Sequence, residues 1–377
     1  MRYCTKCVLP ESHETIKFDP DGVCNICRQS DVKHAEIDWN KRMEMLEEII
    51  SQYRGKGEYD CIVPFSGGKD STYQLWFIIK NLGLKPLVVR FNHWGFRPLV
   101  QENNIRTMKT LGADMLEFTA NWKVVKLLML ESLRQTGDFC WHCHTGIFAH
   151  TMQIAVRYSI PLVIWGESSS EYRAYHTTEE LEELDENAFN EMINLGIDAN
   201  KMYELLNGKI ELRDLLPFRF PPKDELDRIG TRAIYLGNYI KWDTKKQVEK
   251  IKKDLGWQGQ PVEGVPPLYD YEKIECRWQG IRDYCKYIKR GHGRTNHLAC
   301  IDIRNGELDR ETGLLLTQKY DGKRPASLDM FLEILEITED EFEKILKENA
   351  VTDWGVRHDK IQSGESLPDM EQWDRLL

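Results

Sequence analysis

No stretch of this 377-residue chain stays apolar long enough to cross a bilayer, and the mean hydropathy is −0.53, so a membrane span is excluded. The opening residues Met1-Arg2-Tyr3-Cys4 hold no apolar core of a secretory signal, and a cytoplasmic setting is expected. Basic charge is in deficit: 51 lysines and arginines face 61 acidic residues, for a net charge of −10. A large nucleic-acid footprint usually comes with a basic balance, so RNA binding is disfavoured, although a local basic patch remains open. There is no internal repeat. No Walker spacing occurs, because the Gly-Lys pair at 68–69 has no glycine at the required upstream position and is followed by Asp70. A G-x-C-x-G elbow is also missing, so the chain offers no exposed cysteine nucleophile of that kind.

What is present begins at residue 59. An apolar strand, 59–65, runs into Ser66-Gly67-Gly68-Lys69-Asp70-Ser71, and an apolar helix, 70–81, follows. Paired glycines let the backbone curl and turn N–H groups toward an anion. The helix start adds its positive dipole end, and Lys69 adds a mobile charge. Such a turn suits phosphate, with Ser66 and Ser71 as phosphate or metal contacts.

The chain has ten cysteines, and in a cytoplasmic setting they read as metal ligands or buried thiols before disulfides. Cys4-x2-Cys7 and Cys24-x2-Cys27 make two grips separated by sixteen residues, with Pro10, Pro20 and Gly22 between them in a short hairpin. Four thiolates fill a tetrahedral Zn2+ site and leave no open position, so this site is expected to be structural. A ribbon this small has almost no core, and metal should supply its folding free energy. Cys140 and Cys143 form another C-x2-C, with Cys276 as the best distant third ligand. That set would suit a second zinc or an iron–sulfur cluster, a redox pair, or plain core thiols.

Strands at 59–65, 85–91, 115–118, 162–165 and 233–236 alternate with helices at 70–81, 99–111, 121–134 and 147–158. The pattern predicts an α/β fold, a parallel sheet with helices on both faces. Residues 38–53 read as a packing helix, the acidic run 179–186 as a solvated helical face, and helices start at Asp243-Thr244, Ser327 and Thr338. Expected boundaries are 1–36 for the zinc ribbon, 37–258 for the α/β domain, and 259–377 for a mainly helical C-terminal substrate or partner region. Residues 351–377 are polar. In parallel sheets ligands sit beyond the carboxyl ends of the strands. That rule gathers the 66–71 loop, Arg90, Asn92, Gly166 and Glu167 into one crevice, where Glu167 could hold Mg2+ or meet the substrate. Lys286, Lys289, Arg290, His292 and Arg294 form a local basic segment able to clamp a diphosphate, or else a solvated helix face.

The 66–71 loop resembles the S-G-G-x-D-S loop of the PP-loop ATP pyrophosphatases. The wider sequence is similar to the N-acetyl sugar amidotransferases of that superfamily. The likeness rests on residues 2–10, 22–27, 66–71, 140–143, 235–243 and 283–294. One departure is Ser168-Ser169, where the family pattern has Asn-Pro after Gly-Glu. The resemblance implies an adenine nucleotide α-hydrolase-like fold that uses ATP and Mg2+, with Lys69, Asp70 and Glu167 as catalytic residues. It implies an acetamido group on a UDP-linked sugar converted to an acetamidino group for bacterial surface polysaccharide. It also implies a glutaminase subunit and a barrel-like synthase partner as the ammonia source, with no membrane and no nucleic acid. A rival reading is a tRNA-thiolating PP-loop enzyme, in which Cys140, Cys143 and Cys276 would hold an iron–sulfur cluster. A second rival is a non-enzymatic zinc-ribbon scaffold.

Overall fold

The computed structural model describes residues 1–167 and 181–351. Helices α1 (Asn25–Ala35) and α2 (Trp39–Ser51) precede an alternating run. It comprises β1 (Cys61–Pro64), α3 (Lys69–Lys80), β2 (Pro86–Asn92), α4 (Pro98–Leu111), β3 (Asp114–Thr119), α5 (Trp122–Thr136), α6 (Trp141–Tyr158) and β4 (Leu162–Trp165). One-turn α7 (Glu186–Ala188), α8 (Ala199–Leu206) and α9 (Lys223–Ile229) lead to β5 (Arg232–Tyr235) and α10 (Thr244–Leu255). Then come α11 (Gln279–Arg290), α12 (Arg294–Arg304), α13 (Arg310–Tyr320), α14 (Leu328–Leu335) and α15 (Glu339–Glu348).

The five strands form one parallel sheet in the order β3-β2-β1-β4-β5. Side chains of a strand alternate between faces, and the cores divide accordingly. Cys61, Val63, Val88 and Ile164 join α3, α4 and α10 on one face, whereas Ile62, Leu87, Val89 and Val163 join α6 on the other. Strands β1 and β4 are buried at every residue, as covered parallel strands require. The chain leaves β1 toward β2 on one side and later returns as β4 on the other. The strand order therefore reverses between β1 and β4, and a crevice opens at their carboxyl ends.

Two local expectations are corrected. The helix expected over 147–158 begins at Trp141, because Gly146 does not break it: a Cβ there would lie 2.3 Å from Phe91 Cζ, so the glycine lets α6 press onto β2. Of the acidic run, residues 181–185 are not helical and Glu186 alone enters α7. Glu183 bridges antiparallel to Ile234, Leu184 N–H donates to Ala233 O at 2.9 Å, and Glu183 pairs with Arg232, so these residues cover the β5 edge. Ser168, Ser169 and the polar segment from 352 onward lie outside the described residues. Among the described residues, no helix is long and apolar enough to cross a membrane.

The four ribbon cysteines are buried, and their sulfurs lie within 4.8 Å of one another. Backbone N–H groups of Cys7 and Cys24 donate to Cys4 Sγ at 3.4 and 3.2 Å, which favours thiolate. Hydrogen bonds with Cys24 and then Cys27 lower the Cys4 thiol to about 6. This donor set fits a tetrahedral metal ion. The ribbon is not an appendage. Its core is completed by Ala299 and Cys300 of α12, and Arg310 of α13 donates to the carbonyls of Cys4 and Cys7 at 3.3 and 3.0 Å.

Candidate active site

The loop between β1 and α3 is held by its own serines. The Ser71 hydroxyl accepts from Ser66 N at 3.2 Å and Gly67 N at 3.1 Å, and Ser66 Oγ accepts from Gly68 N at 3.3 Å. Gly67 has φ +87°, and a Cβ there would meet Asn104 Oδ1 at 1.9 Å. Only glycine tolerates both conditions. Trp257 Nε1 donates to Gly67 O at 3.1 Å and fixes the turn from outside. Gly68 caps α3 without a side-chain acceptor, so no side chain caps the first-turn N–H groups.

Lys69 is buried under this turn. Its Nζ lies 2.7 Å from Asp70 Oδ2 and 2.8 Å from Glu272 Oε2. Burial opposes its charge, but Asp70, Glu272 and Glu167 more than compensate and keep the ammonium well above its ordinary range. Glu272 is squeezed the same way: burial raises its carboxyl, yet Lys69, Lys273 and Arg294 bring it down to about 2. Glu167, just beyond β4, goes the other way. Burial, and next the charge of Asp70, push it up to about 7, with Lys273 Nζ 3.9 Å away. The crevice thus sets the cations Lys69 and Lys273 against the Glu272 carboxylate and a Glu167 carboxyl poised near neutrality.

This crevice opens into a cavity of about 620 Å³ whose walls come from the sheet ends, the ribbon and α11–α12. Lys69 and Glu167 line it together with Lys286, Lys289, Arg290 and Arg294. Sequence positions more than 200 residues apart therefore face one space. The lining has eleven lysines and arginines against eight carboxylates, a local cationic excess in an acidic chain.

The basic residues do not stand alone. Lys289 Nζ donates to Thr136 O at 2.9 Å, at the α5 terminus. Arg290 pairs with Glu14 at 3.0 Å and donates to Ser12 O at 3.1 Å. Arg294 lies 3.2 Å from Asp283 and 3.4 Å from Glu272. His292 faces His13 with ring centroids 5.7 Å apart. Burial works against the Glu14 charge, but Lys286 and Arg290 hold it at about 2.

Of the residues expected in the crevice only Lys69 and Glu167 line the cavity, and Arg90 and Asn92 are engaged elsewhere. Arg90 is buried, bonds Gln101 at 2.7 Å and Glu117 at 2.8 Å, and lies 3.8 Å over the Phe96 ring. Asn92 accepts from Trp94 N at 3.0 Å. Neither is among the residues lining the cavity. Gly166 accepts from Gly237 N at 3.0 Å and sits against Gln74. Cys140, Cys143 and Cys276 lie in one apolar cluster, and burial raises all three thiols. Among the described residues, the ribbon set is the group of possible ligands within 4.8 Å of one another.

Sequence reasoning missed Glu272, Asp283, Glu14 and Asp138, the carboxylates that neutralise the basic segment. Asp138 sits 3.2 Å from Arg282, and it and Arg282 also line the cavity. Each is a single acid in a mixed stretch, with no spacing to mark it.

Residues 268–367 match the family described as LPS biosynthesis protein WbpG-like, C-terminal domain. Those residues are thus similar to the C-terminal domain of that family. That agrees with the family resemblance read from the motifs, and the matched residues include Glu272, Asp283, Lys286, Lys289, Arg290 and Arg294 of the cavity lining. An uncharacterized protein of Methanocaldococcus jannaschii, MJ1599, is 22% identical over 165 residues, which is 43% of this chain. The chain spans 58% of the length of that curated relative. Among solved structures, the U34-tRNA thiolase NcsA of Methanococcus maripaludis with its 4Fe-4S cluster overlaps at TM-score 0.33 and 10% identity, over 92% of this chain and 89% of its own. NMN synthetase of Francisella tularensis overlaps at TM-score 0.28 and 14% identity, over 58% and 96%.

Proposed function

We propose that this chain is a PP-loop enzyme of polysaccharide biosynthesis that converts the acetamido group of a UDP-linked N-acetyl sugar to an acetamidino group, at the expense of ATP. The observation that carries the proposal is the shared cavity. Lys69 of the phosphate loop and the basic residues Lys286, Lys289, Arg290 and Arg294 of the WbpG-like region line one cavity. An anionic co-substrate and an anionic sugar nucleotide can therefore meet across Glu167.

In this scheme the amide oxygen of the sugar attacks the α-phosphorus of ATP. The bond to the β-phosphate oxygen breaks and pyrophosphate leaves. Ammonia then adds to the activated carbon, the C–O bond breaks, AMP departs and one proton is released. Lys69 and the α3 N-terminus stabilise charge on the leaving pyrophosphate. Glu167, with a carboxyl near 7, accepts the proton from attacking ammonia. Asp70 Oδ1 is buried without a hydrogen-bond partner, which suits it to a hard divalent cation. Mg2+ held there would neutralise phosphate charge. Ammonia delivered by a glutaminase subunit, with a barrel-like synthase partner, completes the reading, and the setting is the cytoplasm.

The test is pyrophosphate release with ammonium and a panel of UDP-N-acetyl sugars. Sugar-stimulated release, accompanied by a product with an amidine in place of the amide, supports the reading. Release indifferent to every sugar, or tight salt-sensitive binding of bulk tRNA, overturns it.

A further inference from the structure

Two carboxylates of one short segment sit on the phosphate loop. Glu272 holds Lys69 Nζ at 2.8 Å. Three residues on, Glu275 lies against Gly68: a Cβ built there would be 2.6 Å from Glu275 Oε2. Gly68 is the N-cap of α3, where no side chain caps the helix start. A carboxylate at that spot is in the attractive field of the helix dipole and of Lys69. Between the two acids, Lys273 adopts φ +51°, a left-handed conformation that costs a non-glycine residue energy and persists only when its surroundings enforce it.

We propose that Glu275 is a resident anion in the phosphate seat, which the polyphosphate of ATP displaces on binding. This rests on the ATP reading above and assigns a role to a residue outside the loop motif. Polyphosphate and Glu275 compete for the same positive end of α3. Glu272 stays engaged, because its second oxygen lies 3.4 Å from Arg294 in the cavity wall. Movement of the 272–275 segment therefore reaches the sugar side of the site through Arg294 and Asp283. Glu275 thus sets nucleotide affinity and keeps the loop covered by a like-charged group until ATP arrives.

The experiment is calorimetric binding of ATP, inorganic pyrophosphate and AMP to the full chain and to Glu275→Gln. Removing one negative charge beside a polyphosphate should tighten ATP and pyrophosphate about tenfold at low salt, with a smaller gain at 0.5 M salt. AMP, which has no β- or γ-phosphate, should change little. Glu275→Ala, which also removes the bulk, should show the same order of preference and guards against a folding defect in the first variant. Weaker or unchanged pyrophosphate binding by both variants overturns the proposal while the ATP reading stands. Failure of the wild-type chain and both variants to bind ATP or pyrophosphate overturns both.

Discussion

Glu272→Gln should cost this protein about 3 kcal/mol at neutral pH, and the cost should fade in acid. The wild-type carboxylate pairs with Lys69 at 2.8 Å and with Arg294 at 3.4 Å, and the Glu272 and Lys69 side chains are only 5% and 7% exposed, so solvent screens them little. Its value of about 2, against an ordinary 4.5, corresponds to roughly 3 kcal/mol in favour of the folded state. Breaking a buried ion pair by removing one partner costs about 3–5 kcal/mol, which agrees. The sign follows from the depressed value. The contribution is complete above the ordinary carboxylate range and is lost as pH falls from about 4.5 toward 2. Urea unfolding at pH 7, 5, 4 and 3 measures it, and for a chain of this length the melting temperature at pH 7 should fall by about 4 °C. A difference below about 1 kcal/mol at pH 7, or one that does not shrink between pH 4.5 and 3, refutes the assignment of Glu272 as the anion that neutralises Lys69.

Other outcomes are expected. Glu167 has a raised value near 7, so its ionisation opposes folding above the ordinary range; Glu167→Gln should stabilise the protein by about 3 kcal/mol at pH 8, change it little at pH 4.5, and abolish sugar-stimulated turnover, as paired melts and rate assays would reveal. Gly67→Ala should eliminate pyrophosphate release, because a methyl would meet Asn104 at 1.9 Å, whereas Gly83→Ala, with φ +64° and nothing within 4 Å, should cost only about 1 kcal/mol and leave activity intact. Cys24→Ser should lower the bound zinc found by elemental analysis and lower the melting temperature of the whole chain, since the ribbon core includes α12; loss of zinc with an unchanged melt would contradict that packing.

The sheet was legible because its strands are short apolar runs, and because Asp243 and Thr338 cap their helices as their chemistry predicts. The phosphate loop was legible for a similar local reason: glycine spacing and a following helix are contained within a dozen residues. Elements with mixed faces escaped. In α12, Thr295, Asn296 and Asp302 are buried beside Leu298 and Cys300, so its apolar stripe is broken by polar residues whose partners lie elsewhere. The basic segment was visible, but not its neutralisation. Ser12 and Glu14, which hold Arg290, are 278 and 276 positions away in the chain, and no periodicity encodes a contact of that span. Arg90 and Asn92 were grouped with the ligand crevice by the strand-end rule alone; Glu117 on the neighbouring strand and Phe96 engage Arg90 instead.

The seal between the ribbon and the C-terminal helices also bears on how the chain is made. Arg310 bonds the Cys7 carbonyl across 303 positions, and Asn296 bonds the Val8 carbonyl across 288. During synthesis the cysteine knuckles emerge well before α12 and α13. The apolar patch they present stays bare until α12 and α13 leave the ribosome, at about 5–20 residues per second. For roughly fifteen seconds to a minute the nascent chain carries the four cysteines with an unfinished partner surface. Closure of that surface requires contacts among the longest in sequence, and such contacts form slowly because loop closure precedes them.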